Sequence, residues 1–252
     1  MSYENQLDSI VNEGDIKEFN TFINEIILKK SENDDISLLI NVIKYEKISL
    51  LESLIKIFDN HKTIVNINSS EDTLIGDFPF LAAIKSKNLE IINRLIKYAN
   101  DNNIIIEINK KNRKDDFPLM VAIQSLKDEI VQILIDYAIA HNIKLEINMK
   151  NGDECNNSPL LIAISKINSS MVKTIIDYCK TQDVLLDLKI MDINGDFPLL
   201  KAIKVNNTDI VKLLLNYANA KKVELGINNK NLDGNFPFLM TIENNNTEIY
   251  NY

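Results

Sequence analysis

A chain of 252 residues that is 45% apolar and 25% charged, with a formal net charge of −8, has the make-up of a folded protein and not of a disordered one. The acid excess disfavours nonspecific nucleic-acid binding, and no apolar run approaches the length of a membrane span. The two cysteines, Cys155 and Cys179, offer neither a disulfide framework nor a metal-ligand spacing.

The first eleven residues hold Glu4 and Asp8 and no continuous apolar core, which argues against a secretory signal and, with the cysteine usage, predicts a reducing compartment: the cytoplasm, with the nucleus left open. Residues 1–33 read as a degenerate opening repeat that caps the array. A helix around residues 4–11 leads into a turn at Gly14 and a second helix with Phe19, Phe22 and Ile23 on its apolar side. Residues 34–75 form the next repeat, with a first helix over residues 37–43 and a second marked by Leu50, Leu51, Leu54 and Ile55.

From there the period becomes explicit. The chain has five prolines, Pro79, Pro118, Pro159, Pro198 and Pro237, at intervals of 39, 41, 39 and 39 residues, and such regularity signals a repeat architecture. The residue before each proline is Phe78, Phe117, Ser158, Phe197 or Phe236, and four positions after it stand Ala83, Ala122, Ala163, Ala202 or Thr241. Five positions after it isoleucine recurs without exception, as Ile84, Ile123, Ile164, Ile203 and Ile242. Apolar residues at this spacing suit a short buried helix that starts at proline, whose missing N–H has no intrahelical partner at the first turn. Asp77, Asp116, Asn157, Asp196 and Asn235, two before the proline, are its expected N-caps.

A second helix follows in each repeat. Its stripe includes Ile91, Leu95, Ile96 and Tyr98 in one copy and Ile210, Leu214, Leu215 and Tyr217 in another. The tyrosine column, Tyr98, Tyr137, Tyr178 and Tyr217, lies at core spacing and reads as packing and not as a cofactor site. Extended β-branched stretches come next, at residues 104–108, 143–147, 184–188 and 223–227, and then a loop rich in Asn, Asp, Lys and Gly that leads to the next proline. The predicted repeats are residues 76–114, 115–155, 156–194 and 195–233, and a last one, 234–252, stops early in its second helix, so Leu239 and Ile242 are expected to be less buried than their counterparts.

The run Asp192-Ile193-Asn194-Gly195-Asp196-Phe197-Pro198-Leu199-Leu200-Lys201-Ala202 resembles the ankyrin repeat at Asp192, Gly195, Pro198, Leu199 and Ala202, and Ile210, Val211, Leu214 and Leu215 fall where that family's second-helix apolars fall. The resemblance implies an all-α fold for residues 1–252, an ankyrin-type helix-turn-helix repeat solenoid with short extended or β-hairpin fingers between repeats. Three features depart from the family pattern. Phe197 and Leu200 replace a hydrogen-bonded Thr–His pair, with Ser158 opposite Leu161 as the exception; the repeat is longer than usual, the excess falling after the tyrosine column; and the glycine between the helices is mostly absent, as at Lys87 and Asn207.

No catalytic motif is present, His61 and His141 stand far apart in post-helix loops, and no catalytic, cofactor or metal residue is predicted. The resemblance implies a non-catalytic, monomeric scaffold that binds a protein partner on a concave face of fingers and first helices, with no nucleic acid, membrane insertion or cofactor. The alternative is a substrate-recognition or regulatory arm of a larger ligase, kinase or channel. The contact positions it implies are Asp77, Lys85, Ser86, Arg113, Lys114, Asp116, Gln124, Ser125, Glu154, Asn157, Ser165, Lys166, Asn194, Asp196 and Lys204. Among the aliphatic neighbours at the same columns are Leu74, Ile75 and Ile193, and Arg113 with Lys110, Lys111 and Lys114 makes one basic finger.

Overall fold

The computed structural model of the chain describes residues 7, 9–11, 15–27, 32–152 and 157–250. They fall into two compact units, Met1–Arg113 and Lys114–Tyr252. The first contains α1 (Ile16–Ile27), α2 (Glu32–Lys44), α3 (Ile48–Asn60), α4 (Pro79–Ser86) and α5 (Leu89–Asp101). The second contains α6 (Pro118–Gln124), α7 (Asp128–Ala140), α8 (Pro159–Ser165), α9 (Ser169–Thr181), α10 (Pro198–Lys204), α11 (Thr208–Lys221), α12 (Pro237–Glu243) and α13 (Thr247–Tyr250). Of the expected opening helix, residues 7 and 9–11 are helical and the rest lies outside the described residues.

Within each unit the helices stack in two layers. In the first, α2 packs on α4, and α1, α3 and α5 follow one another behind them. In the second, α6, α8, α10 and α12 form the row of first helices, and α7, α9, α11 and α13 the row behind. The proline-headed helices bury nearly everything: Phe78, Phe117 and Phe197 are fully enclosed, as are Ile84, Ile123, Ile164 and Ile203 to within 3%. The column thirteen after each proline, Ile92, Val131, Val172 and Val211, is also buried, and it contributes more to the core than the partly open Ile96 and Leu215 beside it. Ile242 is 54% exposed where Ile203 is 3% exposed, in the direction expected for the last repeat.

Left-handed joints set the length of each helix. The residue eight after each proline has positive φ in every repeat: Lys87, Leu126, Ile167, Asn206 and Asn245, without a glycine among them. A second joint follows the second helix at Asn103, Asn142, Asp183 and Lys222. There the chain turns back on the helix end, as in the bond from Ile104 N–H to the Ala99 carbonyl (2.8 Å) and its equivalents, Ile143 to Ala138 and Val184 to Cys179. The excess length of the repeat therefore goes mainly into the second helix, which runs 13 residues in α5, α7 and α9 and 14 in α11. A third joint lies in the finger at Gly76, Asp115, Gly195 and Gly234. At Gly195 φ is +73°, and a Cβ would meet the Leu232 backbone nitrogen at 3.0 Å, so glycine serves both the turn and the close approach of the next finger.

Two expectations are corrected. The N-cap of each first helix is the residue immediately before the proline, not the Asp or Asn two before it. Phe78, Phe117, Phe197 and Phe236 take extended cap geometry with no side-chain bond, and Ser158 alone accepts from Leu161 N–H. Proline bars its predecessor from helical conformation, which places the boundary there. The fingers, secondly, contain no β-strand among the described residues. Side chains take up their backbone groups instead. Asn68 Nδ2 donates to the Ile105 carbonyl (2.8 Å) while its Oδ1 accepts from Glu107 N–H (2.9 Å), and Asn148 bridges Leu185 and Asp187 the same way.

The tyrosine column serves the same purpose from below. The hydroxyls of Tyr98, Tyr178 and Tyr217 accept from the backbone N–H of Val65, Leu145 and Leu186 at 2.8–2.9 Å, so each second helix holds the extended stretch of the preceding repeat. Burial pushes these hydroxyls above their ordinary pKa, against the pull of the donated N–H.

A candidate interaction face

Each finger is closed by a buried polar side chain: Glu71, Asn112, Asn151, Asp192 or Asn231. In the clearest cases its N–H donates to the carbonyl two before the proline and its side-chain oxygen accepts that residue's N–H. Asn231 makes this exchange with Asn235 at 2.9 Å both ways, and Asp192 makes it with Asp196 at 3.1 and 2.9 Å. The ankyrin-like aspartate at Asp192 hinted at this column, but the distance to the proline is six residues in some fingers and eight in others, so simple spacing did not reveal the rest.

The closed finger positions the predicted contact residues, and the structure sorts them into two groups. In the first, Asp77 and Asp196 are buried. Lys85 Nζ reaches both Asp77 oxygens (2.9 and 3.1 Å), and Asn112 Nδ2 of the following finger donates to Asp77 Oδ1 (2.7 Å). In the same way Lys204 Nζ donates to Asp196 Oδ2 (2.6 Å) and Asn231 Nδ2 of the following finger to Asp196 Oδ1 (2.7 Å). These buried carboxylates thus have a cation and an amide each, and they tie the first helix to its own finger and to the next. Lys85 and Lys204 keep about a third of their side chains open to solvent.

The second group faces outward. Gln124, Ser165, Lys166, Lys114 and Asn194 are exposed, and Asp116, Asn157, Ser86 and Ser125 are half-buried. Ser86, Ser125 and Ser165 turn their hydroxyls back onto the carbonyls of Ala83, Ala122 and Leu161, closing the last turns of their helices. Glu154 and Cys155 lie outside the described residues. At the tips, Leu74 is 94% exposed, Ile193 57% and Leu232 79%; Leu232, at the same column of the last finger, was not anticipated. The Asn194 carbonyl accepts from Leu232 N–H at 3.1 Å, so two of these tips lie side by side.

The basic finger is an internal staple in part. Lys110 donates to the Asn68 carbonyl and lies 5.2 Å over the Phe78 ring, and Arg113 donates to the Thr73 carbonyl and pairs with Asp72 at 3.2 Å. A further ion pair, Lys201 with Asp192, is almost buried, its side chains 15% and 3% exposed. Burial works to raise the Asp192 carboxyl, but the Lys201 ammonium and the backbone N–H groups of Asp196 and Asn194 outweigh it and hold it below the usual carboxylate range.

His61 meets Asn24 at 3.0 Å on the surface, and His141 stacks on the Tyr137 ring, centroids 4.1 Å apart. The buried Cys179 thiol is pushed up to about 12 by burial and is a core residue. Among the described residues no group of metal-ligating side chains comes together, and no helix is long and apolar enough to cross a membrane.

Comparison with known families agrees with the repeat geometry. A family model described as ankyrin repeats matches the chain in three overlapping copies, at residues 39–144, 80–186 and 136–224. No curated protein sequence matches.

Proposed function

Because this chain belongs to the ankyrin-repeat family, whose repeats serve generally as protein–protein interaction modules, we propose that it is a non-catalytic scaffold that binds a protein partner on the face made by its finger tips and the open ends of its first helices. One observation carries this reading. Leu74 and Leu232, at the finger tips, are the most exposed large apolar residues among those described, at 94% and 79%, and Ile193 at the same column is as open as Leu185 and Ile227 in the extended stretches. Large apolar side chains held out by a rigid, hydrogen-bonded turn suit a contact surface. Arg113, held on the Thr73 carbonyl beside Leu74, and the exposed Asn194 beside Ile193 supply polar contacts at the tips; the exposed Gln124, Ser165 and Lys166 end their first helices, and the Asp77–Lys85 and Asp196–Lys204 pairs tie finger to helix and offer the outer part of each lysine. No cofactor enters this function.

The experiment is affinity capture from native extract with the wild-type chain and with Leu74→Glu/Ile193→Glu/Leu232→Glu. These positions are open to water, so the substitutions leave the fold intact. Reversing Lys85 or Lys204 would be a poor test, because it strands a buried carboxylate and destabilises the finger by about 3–5 kcal/mol. A protein retained by wild type and lost from the tip variant is the expected result, and equal retention by both would move the binding site elsewhere.

A further inference from the structure

We propose that the last extended stretch, residues 223–228, is an open docking edge. It takes an extended segment of a partner protein with aliphatic residues at alternate positions, held through its backbone by the Asn228 amide beside an apolar cavity. This goes beyond the finger-tip reading and does not depend on it.

The inner repeats show what such an edge holds. Asn68 and Asn148 each end an extended stretch, and each grips the backbone of the stretch in the following repeat. The amide nitrogen donates to the carbonyl of Ile105 or Leu185 at 2.8 Å, and the amide oxygen accepts the N–H two residues on, of Glu107 or Asp187, at 2.9 Å. Side chains alternate along an extended chain, and the gripped segments use this. Ile106 and Ile108 of one, and Leu186 and Leu188 of the other, are at most 2% exposed, whereas Ile105 and Leu185 are 55% and 59% exposed. The segment held in both cases is therefore gripped at its first and third residues and aliphatic at its second and fourth.

Asn228 stands at the same place in the same turn. Asn229 N–H closes on the Gly226 carbonyl at 2.8 Å, as Ser69 N–H does on Asn66 at 2.9 Å and Met149 N–H on Glu146 at 3.1 Å. The Asn228 side chain is exposed and makes no hydrogen bond among the described residues. Val65, Leu145 and Leu186 donate their N–H to a tyrosine hydroxyl, and Leu225 N–H, at the same column, has no acceptor among the described residues. Ile227 is 57% exposed where its counterparts Ile67, Ile108, Ile147 and Leu188 are at most 2% exposed. Against it lies a cavity of about 440 Å³, whose lining includes Leu215, Ile227, Asn228, Phe236 and Ile249. The edge thus continues the interface that the inner repeats make with one another. An amide that donates and accepts at once holds a peptide backbone whatever its sequence, and the apolar room beside it selects the alternate aliphatics.

The test is an NMR titration of the ¹⁵N-labelled chain with a peptide copying residues 183–190, which contains the backbone that Asn148 grips, flanked by lysines for solubility. Saturable shifts of the Leu225 N–H and of the Asn228 side-chain amide are expected, with Kd on the order of 1 mM or tighter. Methylating the peptide nitrogen of Asp187 removes the N–H that the Asn228 oxygen would accept and should weaken binding at least fivefold. The Leu186→Ser/Leu188→Ser peptide should lose as much. In the protein, Asn228→Ala should lose at least fivefold with its denaturation midpoint unchanged, and Ile193→Glu should bind as wild type does, which separates this edge from the finger tips. The proposal is overturned by absence of saturable binding, by equal binding of the methylated peptide, by unchanged affinity in Asn228→Ala, or by loss of binding in Ile193→Glu. Self-association of the wild-type chain in sedimentation, abolished by Ile227→Glu, would assign the edge to a second copy and overturn it too.

Discussion

At the scale of single residues, this chain substitutes side-chain hydrogen bonds for strand pairing. The hydroxyl of Tyr178 meets Leu145 N–H at 2.8 Å inside the core, so Tyr178→Phe leaves a buried donor unsatisfied and should cost about 1–3 kcal/mol in urea denaturation. Asp192 shows the electrostatic side of the same economy. Three other repeats place asparagine at its column, and Lys201 stands where they have Val121, Ile162 or Met240. The Asp192–Lys201 pair is thus an ionic replacement for an amide and an aliphatic. The folded-state pKa of Asp192 is depressed, so its contribution is present above the unfolded value of about 3.9 and is lost as pH falls through the folded one. Asp192→Asn/Lys201→Met should keep neutral-pH stability within about 1 kcal/mol and show a flatter loss between about pH 5 and pH 3 than wild type, read from urea midpoints across pH. The proline and isoleucine columns were legible in the sequence because they recur in one residue type at one spacing. The finger-closing column was not, because Glu71, Asn112, Asn151, Asp192 and Asn231 vary in type and in distance from the proline.

At the scale of the element, the short first helix is delimited by proline at its start and a left-handed joint past its end, and its burial follows. Ile164 is wholly enclosed, so Ile164→Ala should cost about 2–5 kcal/mol by chemical denaturation, the spread reflecting how far neighbours collapse into the space. The joint tests the reverse direction. A left-handed backbone costs an L-residue about 1–2 kcal/mol and glycine about 0.5–1 kcal/mol in chain entropy, so Ile167→Gly should be more stable than wild type by about 0.5–1 kcal/mol. The sequence pointed to an absent glycine here, yet the backbone takes the left-handed turn anyway with Lys87, Leu126 or Ile167, because stacking of the helices on either side over-determines it. The N-cap was misread for a related reason. Asp77 and Asp196 carry cap-forming side chains, but proline's restriction of its predecessor moved the boundary by one residue and released those carboxylates for the lysine and asparagine that hold them.

At the scale of the molecule, the repeats build two compact units in which core columns are sealed and finger tips are open. The second helix, 13 or 14 residues long, carries the tyrosine whose hydroxyl holds the extended stretch of the preceding repeat, and the extra residues of the repeat follow it. The environment of each expected contact position was only partly legible in the sequence, since the same column can be a solvated glutamine, as at Gln124, or the cation of a buried pair, as at Lys204, and only packing distinguishes them. The measurement that bears most directly on the scaffold reading is hydrogen–deuterium exchange of the chain alone and bound to a partner captured by it. The account predicts that binding slows exchange in the fingers at residues 72–76, 191–196 and 230–234. Protection confined to the second helices, such as residues 169–181, with the fingers unchanged, would contradict it.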